Sequence, residues 1–165
     1  DIFITEANKA LWQKQGLTFL VDSIRPSLEM LKSGALSDTL ATEKDVPDIL
    51  KLVQSLAEYE KEPEAVKNTE QDLLQDGFGE KRLYYCFMLQ GEETCGMALF
   101  YLGPDFVYLE DLYVEDSARG NGGGTLLMSA MAMLASFMDY PRVVWQVLVR
   151  MAQGCGLVFR LTQLF

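Results

Sequence analysis

The sequence predicts an α/β (α+β) fold, with a mostly antiparallel sheet flanked by helices, in one domain over residues 1–165. Two patterns favour this fold class. An amphipathic helical pattern begins at Thr42, and three strand-like segments joined by short turns follow between residues 82 and 114. With 165 residues, of which 49% are hydrophobic and 23% charged, the chain is long enough to bury the core of one globular domain.

The first forty residues carry weaker signals. Residues 1–16 are mildly helical, and "LTFLVDSIRP" (17–26) has the composition of a strand that ends at Pro26. The next segment is interrupted by Gly34, so a short helix or loop is expected there.

Two helices are predicted from their capping residues. Thr42 is a suitable N-cap with Asp45 three residues later, and apolar residues follow at helical spacing. These apolar residues are Val46, Ile49, Leu50, Val53, Leu56 and Ala57. Thr69 is the second N-cap and starts a short helix that ends at Gly77 and Gly79.

Aromatic and β-branched residues indicate three strands, at Arg82–Gln90, Thr94–Leu102 and Phe106–Val114. The turns between them are short, which favours antiparallel pairing. A helix is expected over Thr125–Met138, and "RVVWQVLV" after Pro141 has the pattern of a further strand.

The composition limits both the chemistry and the partners. The formal net charge is −10, which disfavours nucleic acid and anionic membranes as partners and favours soluble cations. Since the chain has no histidine, histidine-based catalytic triads and most catalytic zinc sites are excluded, and no metal is expected. The three cysteines, Cys86, Cys95 and Cys155, have no CxxC spacing and are expected to be reduced, buried thiols of an intracellular protein.

The sequence predicts a cytoplasmic protein. Its N terminus has no basic segment followed by an apolar core, so no signal peptide is expected. The longest apolar tract lies within residues 125–138 and is shorter than the roughly 20 residues that span a bilayer.

The segment "SARGNGGGTLL" (117–127) contains the most informative motif. It follows a strand and begins a helix, where unpaired backbone N–H groups and the helix dipole favour an anion. A Walker loop requires a lysine, which is absent, and a dinucleotide fingerprint requires glycine where Thr125 stands. The arrangement that fits is Arg-x-x-Gly-x-Gly, formed by Arg119, Gly122 and Gly124. The alternative for such a short glycine pattern is a flexible turn.

This motif resembles the pyrophosphate-binding loop of the GNAT superfamily of acyl-CoA-dependent N-acetyltransferases. "VYLEDLYVEDSARGNGGG" is similar to the strand and loop of the spermidine/spermine acetyltransferase branch, and "LAEYE" and "TEQDLLQDGFGE" match the same branch upstream. The resemblance covers residues 41–148. It implies the GNAT acyl-CoA N-acyltransferase fold, with a mixed sheet, and acetyl-CoA as the cofactor.

The resemblance implies a cofactor site on the strand and the loop. In the family this strand diverges from its neighbour, and its main chain pairs with the pantetheine arm of CoA. The matching residues are Leu112, Tyr113 and Val114. The loop's N–H groups would hold the pyrophosphate, with Arg119 as the leading basic residue. These groups belong to Gly120, Asn121, Gly122, Gly123, Gly124 and Thr125.

The acceptor site is implied by three further matches. Glu110 matches an acidic residue beside the substrate amine, which has to lose a proton, directly or through water, before it attacks a thioester. Neighbours on a regular strand face opposite sides, so only one of Glu110 and Asp111 is expected to line the site, and Glu110 is preferred. Tyr59 and Glu60 match a helix end that contacts the substrate in relatives. The alternative for that helix end is a solvated acidic surface.

Three features depart from the family pattern. Residues 27–40 separate two halves of a segment that is continuous in the family, so a surface-looped insertion is expected. Residues 149–165 are atypical, and no tyrosine follows Tyr140 to act as the general acid that protonates the CoA thiolate. The fold is therefore expected to be incomplete at its C-terminal end, with exposed apolar surface that favours a homodimer.

These features predict an N-acetyltransferase that moves an acetyl group from acetyl-CoA to a primary amine of a small cationic substrate, either a polyamine or a lysine-like amine. The alternative is a CoA-binding or dimerising module with little or no catalysis, because the general acid is missing from its expected place. A purely structural role would leave the glycine motif without a purpose.

Overall fold

The computed structural model describes residues 32–33 and 35–146. The predictions for residues 1–16 and 17–26 and for the atypical tail at 149–165 lie outside the described residues. The strands are β1 (Lys32–Ser33), β2 (Leu36–Leu40), β3 (Tyr85–Gln90), β4 (Thr94–Leu102), β5 (Phe106–Val114) and β6 (Arg142–Trp145). The helices are α1 (Val46–Tyr59), α2 (Glu70–Phe78) and α3 (Gly123–Phe137).

The described strands form one mixed sheet in the order β1-β2-β3-β4-β5-β6. Strands β1 to β5 pair antiparallel with their chain neighbours, while β6 lies parallel to β5. Parallel neighbours need a long connection, and α3 provides it between β5 and β6. The predicted antiparallel pairing of β3, β4 and β5 is confirmed.

Both predicted N-caps, Thr42 and Thr69, are confirmed, and each forms a capping box. The Asp45 carboxylate accepts a hydrogen bond from the Thr42 N–H at 2.7 Å, and the Asp72 carboxylate accepts one from the Thr69 N–H at 2.8 Å. The first box opens a short 3-10 turn at Glu43–Asp45 that α1 continues, and the second opens α2 directly. Such boxes satisfy backbone donors that a helix cannot pair internally.

The helices cover the two faces of the sheet. Helix α3 packs on one face, where Phe87 and Leu127 are fully buried in the same apolar cluster. Helices α1 and α2 pack on the other face, in a cluster that contains Ile49 and Met88. Strand β3 is buried on both faces, which explains its nearly continuous apolar sequence.

The expected surface loop over residues 27–40 is wrong for Leu36–Leu40. This segment is strand β2, which pairs with β3 from Ser37 opposite Gln90 to Leu40 opposite Phe87. Leu36 and Leu40 are buried against α3, so the pairing is stabilised by core packing. The segment is therefore part of the sheet, and the helix or loop expected after Gly34 does not form there.

The cysteines only partly match the expectation of buried thiols. Cys86 is buried and free, and burial raises the pKa of its thiol well above the usual range, so it stays neutral. Cys95 is free but half-buried, and Cys155 lies outside the described residues.

Within residues 32–33 and 35–146, no helix is both long and apolar enough to span a membrane.

The assignment of β2 to the sheet can be tested by replacing Leu40 with alanine. Leu40 is 2% exposed, so Leu40→Ala should lower the free energy of unfolding by about 2–5 kcal/mol through the lost burial and the cavity. Urea denaturation of the full chain measures the change. Thr39→Ala, on the half-buried opposite side of the strand, is the matched control and should cost less. Equal, small effects at both positions would contradict the assignment.

Candidate active site

Strand β5 contains one residue more than its partner strand can match. Asp111 lies opposite Leu99 and Leu109 lies opposite Phe100, although Leu99 and Phe100 are adjacent, so Glu110 has no counterpart in β4. A bulge of this kind bends the strand and interrupts the alternation of side chains. The premise that Glu110 and Asp111 face opposite sides of the sheet therefore does not hold.

The bulge directs carboxylates toward the face covered by α1. Leu99 packs in the cluster under α1, and Asp111 lies directly opposite it in the sheet. Burial raises the pKa of Asp111 to about 6, and the negative charges of Glu110 and Glu60 add to the rise. Glu60 lies at the C-terminal end of α1. Three carboxylates thus share one region, which favours a positively charged ligand.

Beyond the bulge, one edge of β5 has no partner strand among residues 32–33 and 35–146. The pairing with β6 runs from Phe106 opposite Arg142 to Leu109 opposite Trp145, and no described strand continues it along Glu110–Val114. On its other side β5 remains paired with β4 as far as Val114. The last part of β5 therefore has backbone groups that the described sheet does not use.

The register identifies which backbone groups these are. The Glu115 N–H donates to the Cys95 carbonyl at 2.8 Å, next to the pair formed by Val114 and Gly96. Since antiparallel pairs alternate between bonded and non-bonded, Tyr113 bonds to β4 while Leu112 and Val114 direct their N–H and C=O groups to the open edge. Of the three strand residues predicted to meet a cofactor through the main chain, two have the required orientation.

The glycine loop leads from this edge into α3. Gly120 and Gly122 have φ values of +80° and +83°, in the left-handed region that glycine occupies without strain. Helix α3 begins at Gly123. The Leu126 N–H donates a hydrogen bond to the Gly122 carbonyl at 2.9 Å. The N–H groups of the first turn, up to Thr125, have no carbonyl within the helix to pair with and suit an anion.

Gly123 allows the helix to start close to the sheet. A Cβ atom at this position would lie 2.5 Å from Leu89 Cδ2 and 3.3 Å from Leu36 Cδ1. Both leucines are buried, so little space is available for such an atom. The close approach fixes the helix N terminus beside the open edge of β5.

Arg119 joins three parts of the site. Its Nε donates to the Val114 carbonyl at 2.8 Å, and its guanidinium forms an ion pair with Asp116. The guanidinium carbon also lies 4.6 Å from the ring centre of Tyr59 and 5.6 Å from that of Tyr113. Arg119 therefore connects the loop, the end of β5 and the end of α1. Asn121 contributes to the same turn, since its amide nitrogen donates to the Ala118 carbonyl at 3.2 Å.

The structure thus gathers the residues predicted from sequence into two adjacent groups. Tyr59, Glu60 and Glu110 lie on the acidic side, and Leu112, Val114 and the loop 119–125 lie on the open-edge side. The sequence analysis preferred Glu110 to Asp111, but the structure places Asp111 in the same region, where its pKa is raised. The sequence shows that Glu110 and Asp111 are adjacent in a strand, which was a signal for a carboxylate pair. The bulge that places both on one side depends on the pairing of β5 with β4 and is not visible in the sequence.

Comparisons with known proteins identify the family of the chain. Residues 47–156, two thirds of the chain, match the model of the acetyltransferase (GNAT) family. The chain is 37% identical over 109 residues to thialysine N-epsilon-acetyltransferase of Bos taurus, covering 58% of this chain and 64% of that protein. It is 33% identical over 119 residues to spermidine/spermine N(1)-acetyltransferase-like protein 1 of Homo sapiens, covering 61% of this chain and 17% of that protein. The chain thus spans less than two thirds of either relative.

Solved structures share the fold. One is an aminoglycoside acetyltransferase from an uncultured soil metagenomic sample in complex with sisomicin, with a TM-score of 0.64, 17% identity, and coverage of 78% of this chain and 86% of that one. Another is an aminoglycoside N-acetyltransferase in complex with CoA. It has a TM-score of 0.57 and 13% identity, and the match covers 74% of this chain and 83% of that one. The fold predicted from the sequence is confirmed.

The raised pKa of Asp111 predicts a pH-dependent stability cost. Above about pH 6 the carboxylate is charged in the folded protein at a site that disfavours charge, whereas at pH 4, close to its ordinary pKa of 3.8, most of this cost is absent. Asp111→Asn should therefore raise the free energy of unfolding at pH 7.5 relative to pH 4, by about 2 kcal/mol. Denaturant unfolding at both pH values measures the difference. Glu92→Gln, in an exposed turn, is the control, and an equal effect of Asp111→Asn at both pH values would contradict the burial of this charge.

The loop geometry predicts different costs at two neighbouring glycines. Gly122→Ala places a side chain at a φ of +83° and should lower the free energy of unfolding by about 1–2 kcal/mol. Gly124→Ala lies inside the first turn of α3 and should be neutral or stabilising, because alanine is the better helix former. Thermal unfolding of both variants checks this. If the two substitutions had the same effect, the left-handed conformation at Gly122 would be contradicted.

Proposed function

The chain belongs to the acetyltransferase (GNAT) family, and we propose that it transfers an acetyl group from acetyl-CoA to a primary amine of a small cationic substrate, a polyamine or a lysine-like amine. The observation that carries this proposal is that, among the described residues, the β5–β6 pairing ends at Leu109 and Trp145. It leaves an open backbone edge between a carboxylate cluster and the N terminus of α3.

The residues at this edge fit CoA. The Leu112 main chain and the Val114 N–H are directed to the open side and would pair with the amides of the pantetheine arm. The Val114 carbonyl accepts its hydrogen bond from Arg119. The N–H groups at the start of α3 would bind the pyrophosphate, helped by the positive end of the helix dipole. When bound, acetyl-CoA supplies the activated acetyl thioester.

The acidic side of the site suits the acceptor amine. Glu60, Glu110 and Asp111 would attract and orient a cation, in keeping with the net charge of −10. An ammonium ion has to lose a proton before its nitrogen can attack a thioester, and Glu110 would accept that proton directly or through water. Asp111, with a pKa of about 6, would exchange protons near neutral pH. The exposed ring of Tyr59 would border the same site.

The choice of substrate class rests on two kinds of support. The carboxylate cluster favours a cation but does not by itself distinguish a polyamine from a lysine-like amine. The two relatives named above are a thialysine N-epsilon-acetyltransferase and a spermidine/spermine N(1)-acetyltransferase-like protein. A homodimer in the cytoplasm is part of the same proposal, and light scattering at micromolar concentration would test the dimer.

The proposed reaction is tested by following CoA release from acetyl-CoA with spermidine and thialysine as acceptors. Glu110→Gln should lower kcat/KM about 100-fold or more, because the glutamine cannot accept the proton. The affinity for CoA, measured by calorimetric titration, should stay unchanged. Glu93→Gln, in the exposed turn between β3 and β4, is a charge-matched control and should keep full activity.

The same measurements separate the alternatives. CoA binding without transfer to either amine would contradict the proposed reaction and favour a CoA-binding module. Absence of CoA binding would contradict both functions. If Glu110→Gln were as active as the unaltered chain, Glu110 would not be the proton acceptor, although the proposed acetyl transfer would still stand.

A further inference from the structure

The guanidinium group of Arg119 is held by the end of β5 and by the end of α1. Its Nε donates to the Val114 carbonyl at 2.8 Å, and the guanidinium carbon lies 4.6 Å from the ring centre of Tyr59. Asp116, three residues earlier in the chain, forms an ion pair with the same group. A planar guanidinium can donate along its edge while it stacks on its face, which a lysine ammonium group cannot do. Arg119 therefore contributes a specific shape to the loop as well as a charge.

Through Tyr59, this contact reaches the acidic side of the site. Tyr59 is the last residue of α1, and Glu60, the next residue, is one of the carboxylates whose charge acts on Asp111. The Tyr59 side chain is 51% exposed, so core packing fixes the position of its ring only in part. The contact with Arg119 is thus a direct connection between the glycine loop and the end of α1 that bears Glu60.

The segment that carries Arg119 has room to change its conformation. Gly120, the next residue, has a φ of +80°, and a Cβ atom at this position would meet no other atom within 4 Å. Glycine has more backbone freedom than any other residue, so an anion bound at the start of α3 would restrict this segment. Restricting the loop would also restrict the Arg119 side chain, and through it the Tyr59 ring.

We propose that Arg119 couples the two halves of the site, so that a ligand bound at the glycine loop and a cation bound at the acidic side strengthen each other's binding. This inference rests on the proposed function, because it takes CoA at the loop and an amine beside the carboxylates. Arg119 acts as a positioning residue: a ligand that orders the loop orders Arg119, which then holds the end of α1. The coupling is reciprocal, because each ligand lowers the ordering cost that the other has to meet.

The coupling is measured by calorimetric titration of the full chain with CoA, first alone and then with thialysine above its own Kd. CoA carries no acetyl group, so no transfer takes place during the titration. In the unaltered chain, thialysine should raise the affinity for CoA about 2- to 5-fold, the range of an exposed cation–π contact. Glu93→Gln, in the exposed turn between β3 and β4, is the control and should keep this factor.

Three variants test whether the coupling passes through Arg119 and Tyr59. Arg119→Lys keeps the positive charge without the planar group, so the factor should fall to about one, whatever the affinity for CoA alone. Tyr59→Leu removes the ring at the other end and should have the same effect, while Tyr59→Phe keeps the ring and should retain the coupling. If Arg119 served only to attract phosphate or to stabilise the fold, Arg119→Lys would change the affinity for CoA equally with and without thialysine.

Amide hydrogen exchange provides a second measurement that needs no amine. Saturating CoA should slow exchange in the last turn of α1, residues 56–59, in the unaltered chain but not in Arg119→Lys. A factor of one in the unaltered chain, an unchanged factor in Arg119→Lys, or equal protection of α1 in both chains would overturn the inference.

The failure of this inference can be told apart from the failure of the proposed function. Acetyl transfer to thialysine without coupling would overturn the role of Arg119 alone. Coupling through Arg119 without any acetyl transfer would support that role and contradict the proposed function. Absence of CoA binding would overturn both.

Discussion

The candidate site depends on one extra residue in β5. Glu110 has no partner in β4, so β5 shifts its register there and presents Asp111 to the side of α1. At the same point, in the part of the chain that the structure describes, the parallel pairing with β6 ends at Leu109. Both events concern the same two or three residues, and together they produce a carboxylate cluster on one side and an unpaired backbone edge on the other. In a regular strand, Glu110 and Asp111 would face opposite sides of the sheet.

The rest of the fold holds this irregular segment in place. Strand β4, its antiparallel partner, is buried on both sides along Met97, Ala98, Leu99 and Phe100. Helix α3 is fixed against the sheet by the close approach of Gly123 to Leu89. The end of α1 is tied to the loop through the contact of Arg119 with Tyr59. The binding groups thus belong to packed elements, which limits the reorganisation that a ligand would require.

Helix starts and strand limits could be predicted from the sequence because they depend on residues close together in the chain. The boxes at Thr42 and Thr69 follow from side chains three residues apart, and the limits of β4 and β5 follow from apolar residues bounded by short turns. Features that depend on distant partners were missed. Leu36–Leu40 has three polar residues among five and becomes a strand because β3, about fifty residues later, pairs with it. The bulge at Glu110 is a property of register, which no local pattern encodes.

If the open edge of β5 and the start of α3 bind CoA through the main chain, CoA should protect the amides of these segments from hydrogen exchange. The full chain is compared with and without saturating CoA. We expect slower exchange at Leu112, at Val114 and at Gly122–Thr125, with unchanged exchange in α2. CoA binding that slows exchange elsewhere and leaves these amides unchanged would contradict it.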